Sequence, residues 1–255
     1  MTKKKNPKVS IIMPVYNAER FIAETLDCIL SQTHKNVEVI CVLDCPPDNS
    51  EKVIKSFQKK DKRIIIVKQP TNMGPSAARN AGVMVATGDY LHFIDSDDLM
   101  NAEFYSEMLK AIKDTNSEVA SSCVYYEKKP SRGIKYRKQT TASGKRAIRR
   151  TQVLDKGWSW RYVIDKDFWD NNGLFFPEDI WIWEDKPVMT EMVYLANSVV
   201  FCPSATLFYK NRPTSILNIK KSKERLKRDS EQRGKSRALT RAFLRSIRYK
   251  RFWLF

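Results

Sequence analysis

The sequence predicts an α/β protein: a doubly wound, mostly parallel sheet followed by a basic helical tail. Three observations predict it. Four short runs, 9–15, 37–43, 64–67 and 90–94, are rich in Val and Ile and apolar nearly throughout, as strands are when helices cover both faces of a parallel sheet. Segments of helical composition, 18–32, 50–60 and 75–86, lie between them, and a repeated β-α-β order with right-handed crossovers winds such a sheet. Positive charge collects at one end. Residues 220–255 hold 14 Lys/Arg and 3 Asp/Glu, which is +11 of the net +17, against +6 for the other 219 residues.

The elements follow in order. The first strand ends near Pro14, and Asp48 or Asn49 is placed to cap the helix over 50–60. Gly74 feeds a third helix with Pro75 in its first turn, a favoured position. Beyond Asp98 a helix is expected over 102–115 and a strand over 118–126. The basic, polar stretch 128–150, with Pro130, Gly133 and Gly144, reads as a mobile loop entering a helix. An aromatic-rich section from Trp158 to Trp183 precedes a helix over 187–195 and strands over 199–201 and 206–209. These aromatics read as core, with a sugar-stacking platform as the alternative. His34 and His92 are too far apart in sequence to suggest a metal site and read as structural.

A hydrophobic content of 42% is enough for a real core, and no apolar run approaches bilayer length. Lys3, Lys4 and Lys5 precede a short apolar run that stops at Pro14 without a small-residue cleavage site, so no signal peptide is expected. Five cysteines without C-x-x-C spacing point to reduced thiols and a cytosolic location. The tail would suit nucleic acid by charge, but no nucleic-acid-binding signature accompanies it, so that partner is not expected.

The stretch Gly88-Asp89-Tyr90-Leu91-His92-Phe93-Ile94-Asp95-Ser96-Asp97-Asp98 carries the chemistry. A buried strand runs into three carboxylates, and ligands of open α/β sheets sit outside the carboxyl ends of strands. Like charges this close repel unless a cation binds. Hard oxygens suit Mg²⁺ or Mn²⁺ held together with substrate phosphates. A helix cap at Ser96 or Asp97 is the alternative.

Further motifs accompany it in order: Val9-Ser10-Ile11-Ile12-Met13-Pro14-Val15-Tyr16-Asn17, Val42-Leu43-Asp44-Cys45, Asn72-Met73-Gly74-Pro75-Ser76-Ala77-Ala78-Arg79-Asn80-Ala81-Gly82, and Phe176-Pro177-Glu178 followed by Trp183-Glu184-Asp185. Over about residues 8–216 the chain resembles the family 2 glycosyltransferases of bacterial cell-surface polysaccharide or lipopolysaccharide type, which have the Rossmann-like GT-A fold. The resemblance implies an inverting hexosyltransferase using a nucleoside-diphosphate sugar, most simply a UDP-sugar, with Mn²⁺ or Mg²⁺. It places Pro14 and Tyr16 at the base. Asp44 accepts from the uracil imide, while Cys45 stands where relatives have a second Asp. It sets Asn72 and Arg79 near the nucleotide and diphosphate, Asp95 and Ser96 at the ribose, and Asp97 with Asp95 on the metal. Asp185 is then the general base, with Glu184 its alternate, and Arg212, helped by Lys210, lies over the diphosphate. The implied organisation is a catalytic domain over 1–218, divided into a donor half (1–100) and an acceptor half (101–218), and a tail over 219–255. A sugar-nucleotide-binding protein without turnover is the alternative.

In the tail, Leu239, Phe243 and Ile247 recur every four residues and share one helical face. A basic helix with an aromatic end suits an anionic membrane surface, which would hold the enzyme peripherally at the inner face of the plasma membrane near a saccharide or lipid-linked acceptor. The alternative is that this face packs on the catalytic domain or a second subunit.

Overall fold

The computed structural model describes residues 5–127, 130–210 and 222–250. Strands β1 (Val9–Val15), β2 (Val37–Leu43), β3 (Ile64–Lys68) and β4 (Tyr90–Phe93) alternate with helices α1 (Ile22–Leu30), α2 (Ser50–Lys60) and α3 (Gly74–Val85). There follow β5 (Leu99–Met100), α4 (Phe104–Thr115), β6 (Val119–Tyr126), β7 (Thr140–Ala142), α5 (Gly144–Thr151), β8 (Tyr162–Asp165), α6 (Lys166–Asn171), α7 (Asp185–Leu195), β9 (Val199–Tyr209) and α8 (Lys223–Lys250).

The strands form one sheet in the order β3-β2-β1-β4-β8-β6-β9-β5, with β7 beside β9. Strands β3, β2, β1 and β4 pair in parallel, as do β6 and β9. Strand β8 runs antiparallel between β4 and β6, and β5 and β7 run antiparallel to β9. The ladder is thus mostly parallel, and β8 joins the two halves of the chain into a single sheet.

Alternate side chains of each strand feed opposite layers. Ile11, Met13, Val39 and Cys41 pack with Leu26 of α1 and Phe104, Tyr105 and Met108 of α4. Ile12, Ile40, Val42 and Phe93 pack with Ala78 of α3, Trp169, Phe176 and Met189. Helix α3 lies unusually close to the sheet: a Cβ at Gly82 would stand 2.4 Å from Cγ2 of Ile12, so only glycine allows this approach.

Several short elements escape the sequence reading. β5, β7 and β8 exist because a neighbour in space completes their hydrogen bonds, and the single-turn α6 is started by the Asp165 carboxylate accepting from the Phe168 amide; a strand as brief as Tyr162–Asp165 has too few residues to show a period. The two strands expected at 199–201 and 206–209 are one strand, β9, whose register against β6 shifts at Ser122/Cys123. The aromatic section divides. Trp160, Trp169 and Phe176 are core, whereas Phe175, Trp181 and Trp183 are exposed.

Helix α8 packs along α7. The sequence reading gave Leu239, Phe243 and Ile247 as one face free to meet a bilayer. Leu239 is exposed, but Phe243 meets Tyr194 edge-on and Ile247 is buried. The docked face is mostly polar, with Ser236 and Thr240 buried. The packing alternative therefore holds for Phe243 and Ile247, because the body of the protein offers them a partner. Residues 251–255 of the expected membrane-facing end lie outside the described residues. Among the described residues no helix is long and apolar enough to cross a membrane.

His92, fully buried in β4, is structural as expected. The carbonyl of Trp160 can only accept, so Nε2–H donates to it (2.7 Å), which leaves Nδ1 to accept from the Tyr105 hydroxyl (2.8 Å). Burial pushes the imidazole pKa down to about 4 against the weaker opposing effect of the Trp160 carbonyl. The unfolded chain then takes up a proton near pH 6.5 that the folded state refuses. His92 should therefore withdraw roughly 3 kcal/mol of stability as pH falls from 6.5 to 4. Urea unfolding of His92→Gln should show a lower stability at pH 7 and a flatter decline over that range; an unchanged decline would place the proton uptake elsewhere.

Candidate active site

The expected site residues meet at the carboxyl ends of β1, β2 and β4, where ligands of open α/β sheets bind. Pro14 is partly buried at the end of β1. Tyr16 lies just beyond it, 51% exposed, and Asn17 turns the chain with φ 52°. Asp44, at the end of β2, is almost wholly buried. Its two oxygens accept from the backbone amides of Met73 (2.7 Å) and Gly74 (2.9 Å). Asp44 thus fixes the loop that carries the exposed Asn72 into α3. Gly74 takes φ 86°, and a Cβ there would press on the Trp181 indole at 3.2 Å. Arg212 lies outside the described residues, while Lys210, at the end of β9, pairs with Glu24 of α1.

Small residues let α3 lie flat on the sheet, and its polar side chains reach across to the segment before α7. The Ser76 hydroxyl donates to the Ile180 carbonyl (3.3 Å). The Asn80 amide donates to the Phe176 carbonyl and to Glu178 (both 2.9 Å), while its oxygen accepts from the Phe176 amide (3.0 Å). Arg79, 4% exposed, donates to Glu184 Oε1 at 2.6 Å and to Asp95 Oδ1 at 3.1 Å, and its guanidinium faces the Phe176 ring. Burial disfavours its charge, but Glu184, then Asp95 and Asp185, outweigh that and keep it charged.

Asp95, Ser96 and Asp97 occupy the turn after β4, half-buried. The turn is pinned by the Asp98 amide donating to the Asp95 carbonyl (3.2 Å) and the Thr25 hydroxyl donating to the Ser96 carbonyl (3.0 Å). Among the described residues no three His, Cys, Asp or Glu side chains converge as a complete metal cage. Two carboxylates on a pinned turn match the hard-oxygen set of a cation that takes its remaining ligands from water and phosphate.

Asp185 opens α7 beside Glu184 and keeps a partial opening to solvent. Its Oδ2 accepts from the Ser159 amide (3.2 Å). The protein packed around it, then the negative charge of Glu184, raise its carboxyl far above the ordinary aspartate range. Arg79 opposes this, Asp95 adds to it, and the Ser159 amide opposes it weakly.

Sequence reasoning missed Ser76, Asn80 and Ser159, and also the hold of α8 on this segment. Ser236 donates to the Trp183 carbonyl (2.8 Å), Gln232 accepts from the Trp181 amide (2.8 Å), and Lys235 pairs with Asp179 (3.2 Å). Gln232, Ser236 and Thr240 recur every four residues, a face that an apolar search passes over.

A mostly parallel sheet with an acidic turn at one strand end, tied by a buried arginine to a second acid pair, is an α/β architecture with a candidate active site at its strand ends. Residues 10–180 match Glycosyl transferase family 2, and the chain belongs to that family. It is 29% identical over 223 residues to the uncharacterized glycosyltransferase EpsJ of Bacillus subtilis, covering 84% of this chain and 64% of that protein. It is 37% identical over 129 residues to glycosyltransferase GlyA of Streptococcus pneumoniae, covering 51% of this chain and 18% of that protein. The chain thus spans under two thirds of either relative. The S. aureus TarS 1–349 structure in complex with UDP-GlcNAc superposes with a TM-score of 0.73 at 23% identity, over 84% of this chain and 62% of that one. At that identity the likeness is one of fold, and the fold is GT-A. The family match carries Asp44, Arg79, Asp95 and Asp97 and ends before Glu184 and Asp185.

An Asp185 carboxyl raised in the folded state holds a proton that the unfolded chain releases near pH 4. Its ionisation then withdraws stability as pH rises from there through the raised value. Glu184→Gln removes a neighbouring negative charge and frees Arg79 to act on Asp185. Carboxyl ¹³C NMR should show Asp185 titrating above the ordinary aspartate range in the native protein and at lower pH in the variant. Identical titrations would detach Asp185 from this charge network.

Proposed function

We propose that this chain is an inverting, metal-dependent glycosyltransferase. It moves a hexose from a nucleoside-diphosphate sugar, with UDP as carrier, to a saccharide or lipid-linked acceptor. The observation that carries the reading is the buried guanidinium of Arg79, which holds the acidic turn of β4 and the acid pair of α7 on either side of one site. That TarS was solved in complex with UDP-GlcNAc supports the choice of donor.

In this reading the base stacks on Tyr16 near Pro14, and Asp44 acts on it through the loop of Asn72. Ser96 and Asp95 face the ribose, Arg79 lies near the diphosphate, and the family resemblance adds Arg212 as a further positive charge for it. Mg²⁺ or Mn²⁺, held by Asp97 and Asp95, would neutralise charge on the departing diphosphate. Asp185 takes the proton from the acceptor hydroxyl while that oxygen attacks the anomeric carbon opposite the leaving group, so the configuration inverts. A carboxyl raised toward the working pH is a stronger base than an ordinary aspartate. Glu184, neutralised against Arg79, is left to position that guanidinium. The net charge of +17 and the exposed Arg241 and Arg245 of α8 favour work at the anionic inner face of the plasma membrane.

Asp185→Asn keeps the size and loses the basicity. Turnover of UDP-sugars over an acceptor panel should fall at least ~100-fold, with UDP affinity by calorimetry unchanged. Near-normal turnover would move the base elsewhere. Asp97→Ala should remove metal-dependent turnover with its melting temperature preserved; full activity of the native protein in excess chelator would contradict the metal role.

A further inference from the structure

Three cations converge on one exposed ring beside the acid pair. Lys186 Nζ lies 5.3 Å from the centre of the Trp183 indole, and the guanidinium carbons of Arg233 and Arg237 lie 5.2 Å from it. Lys186 belongs to the first turn of α7, and the arginines stand one turn apart on α8. Between them Ser236 donates to the Trp183 carbonyl, and the Trp183 backbone is left-handed, with φ 62°, a conformation that a bulky residue keeps only when its surroundings impose it. The indole is thus held at the surface, 37% exposed.

Among the described residues, α8 ion-pairs with the body through Lys235 and Asp179, which leaves these three cations out. Burial opposes the charge of Lys186 most, Asp155 favours it at longer range, Arg237 opposes it and Asp185 favours it. A single ring is a weak counter-charge for three cations, so the cluster is set to take an anion. Paired arginine forks with a lysine point charge match the oxygens of a phosphate. The cluster adjoins Asp185, where an acceptor hydroxyl gives up its proton. This rests on the reading of Asp185 as the base.

We propose that Lys186, Arg233 and Arg237 form, around Trp183, a docking site for a phosphate group carried by the acceptor. The enzyme then prefers phosphorylated or phosphate-linked saccharides and selects them through a helix beyond the family match.

The test uses the full chain. UDP is titrated first, which examines the donor reading by itself. Glucose 1-phosphate and glucose are then titrated with and without excess UDP, which fills the donor site. The native protein is compared with Arg233→Gln/Arg237→Gln and with Lys227→Gln/Arg228→Gln, which removes equal charge from exposed positions of the same helix. Melting temperatures establish that all are folded. With UDP present, the native protein and the 227/228 variant should bind glucose 1-phosphate, the 233/237 variant at least about 10-fold more weakly, and none should bind glucose. Absence of binding to the native protein overturns the proposal, as does equal weakening in both variants. Loss of pelleting with phosphatidylglycerol vesicles in the 233/237 variant, with glucose 1-phosphate binding intact, also overturns it and assigns the cluster to lipid headgroups. If UDP fails to bind while the phosphate pattern holds, the donor reading falls and the anion site stands.

Discussion

The site depends on one buried guanidinium. Arg79 is carried into the protein by a helix made of small residues, and its charge is tolerated because Glu184 and Asp95 meet it from opposite sides. Losing both partners would leave an uncompensated buried charge, a kind of loss that typically costs about 3–5 kcal/mol. The turn after β4 and the start of α7 are about ninety residues apart in sequence, and they share a site because both have to reach the same cation.

Around this pair the fold supplies positioning. Asp44 spends both oxygens on the backbone of Met73 and Gly74, which fixes where α3 begins. Ser76, Arg79 and Asn80 lie on the buried side of α3, and each takes a point on the segment from Phe176 to Glu184. Helix α8 closes the same segment from outside through Gln232 and Ser236. Asp185 is thus held between rigid elements. That confinement is also what lifts its carboxyl, since the packing that orients a side chain excludes the water that would solvate its charge.

Legibility in the sequence varied with the range of the interaction. The parallel half was readable because each strand is a continuous apolar run bounded by a helix, so period and composition agree. The turn Asp95-Ser96-Asp97-Asp98 was readable as a turn because the apolar run of β4 stops at its carboxylates. β5, β7 and β8 were not, since their hydrogen-bond partners come from distant parts of the chain. Leu239, Phe243 and Ile247 suggested an apolar face for the tail, yet its docked face includes Gln232, Ser236 and Thr240. Such residues score as solvent-facing in any periodicity and earn burial only from a partner carbonyl or amide.

The sequence by itself determined the fold class, the family resemblance and a set of candidate acids, because those rest on local pattern and residue chemistry. Tertiary structure decided the rest. It made Asp44 a holder of the loop at α3, set Glu184 against Arg79, left Asp185 as the acid with the raised carboxyl, and brought three cations of two helices onto Trp183. Burial and charge partnership are properties of neighbours in space, and a one-dimensional pattern records neighbours only within a turn or two of a helix or along a strand.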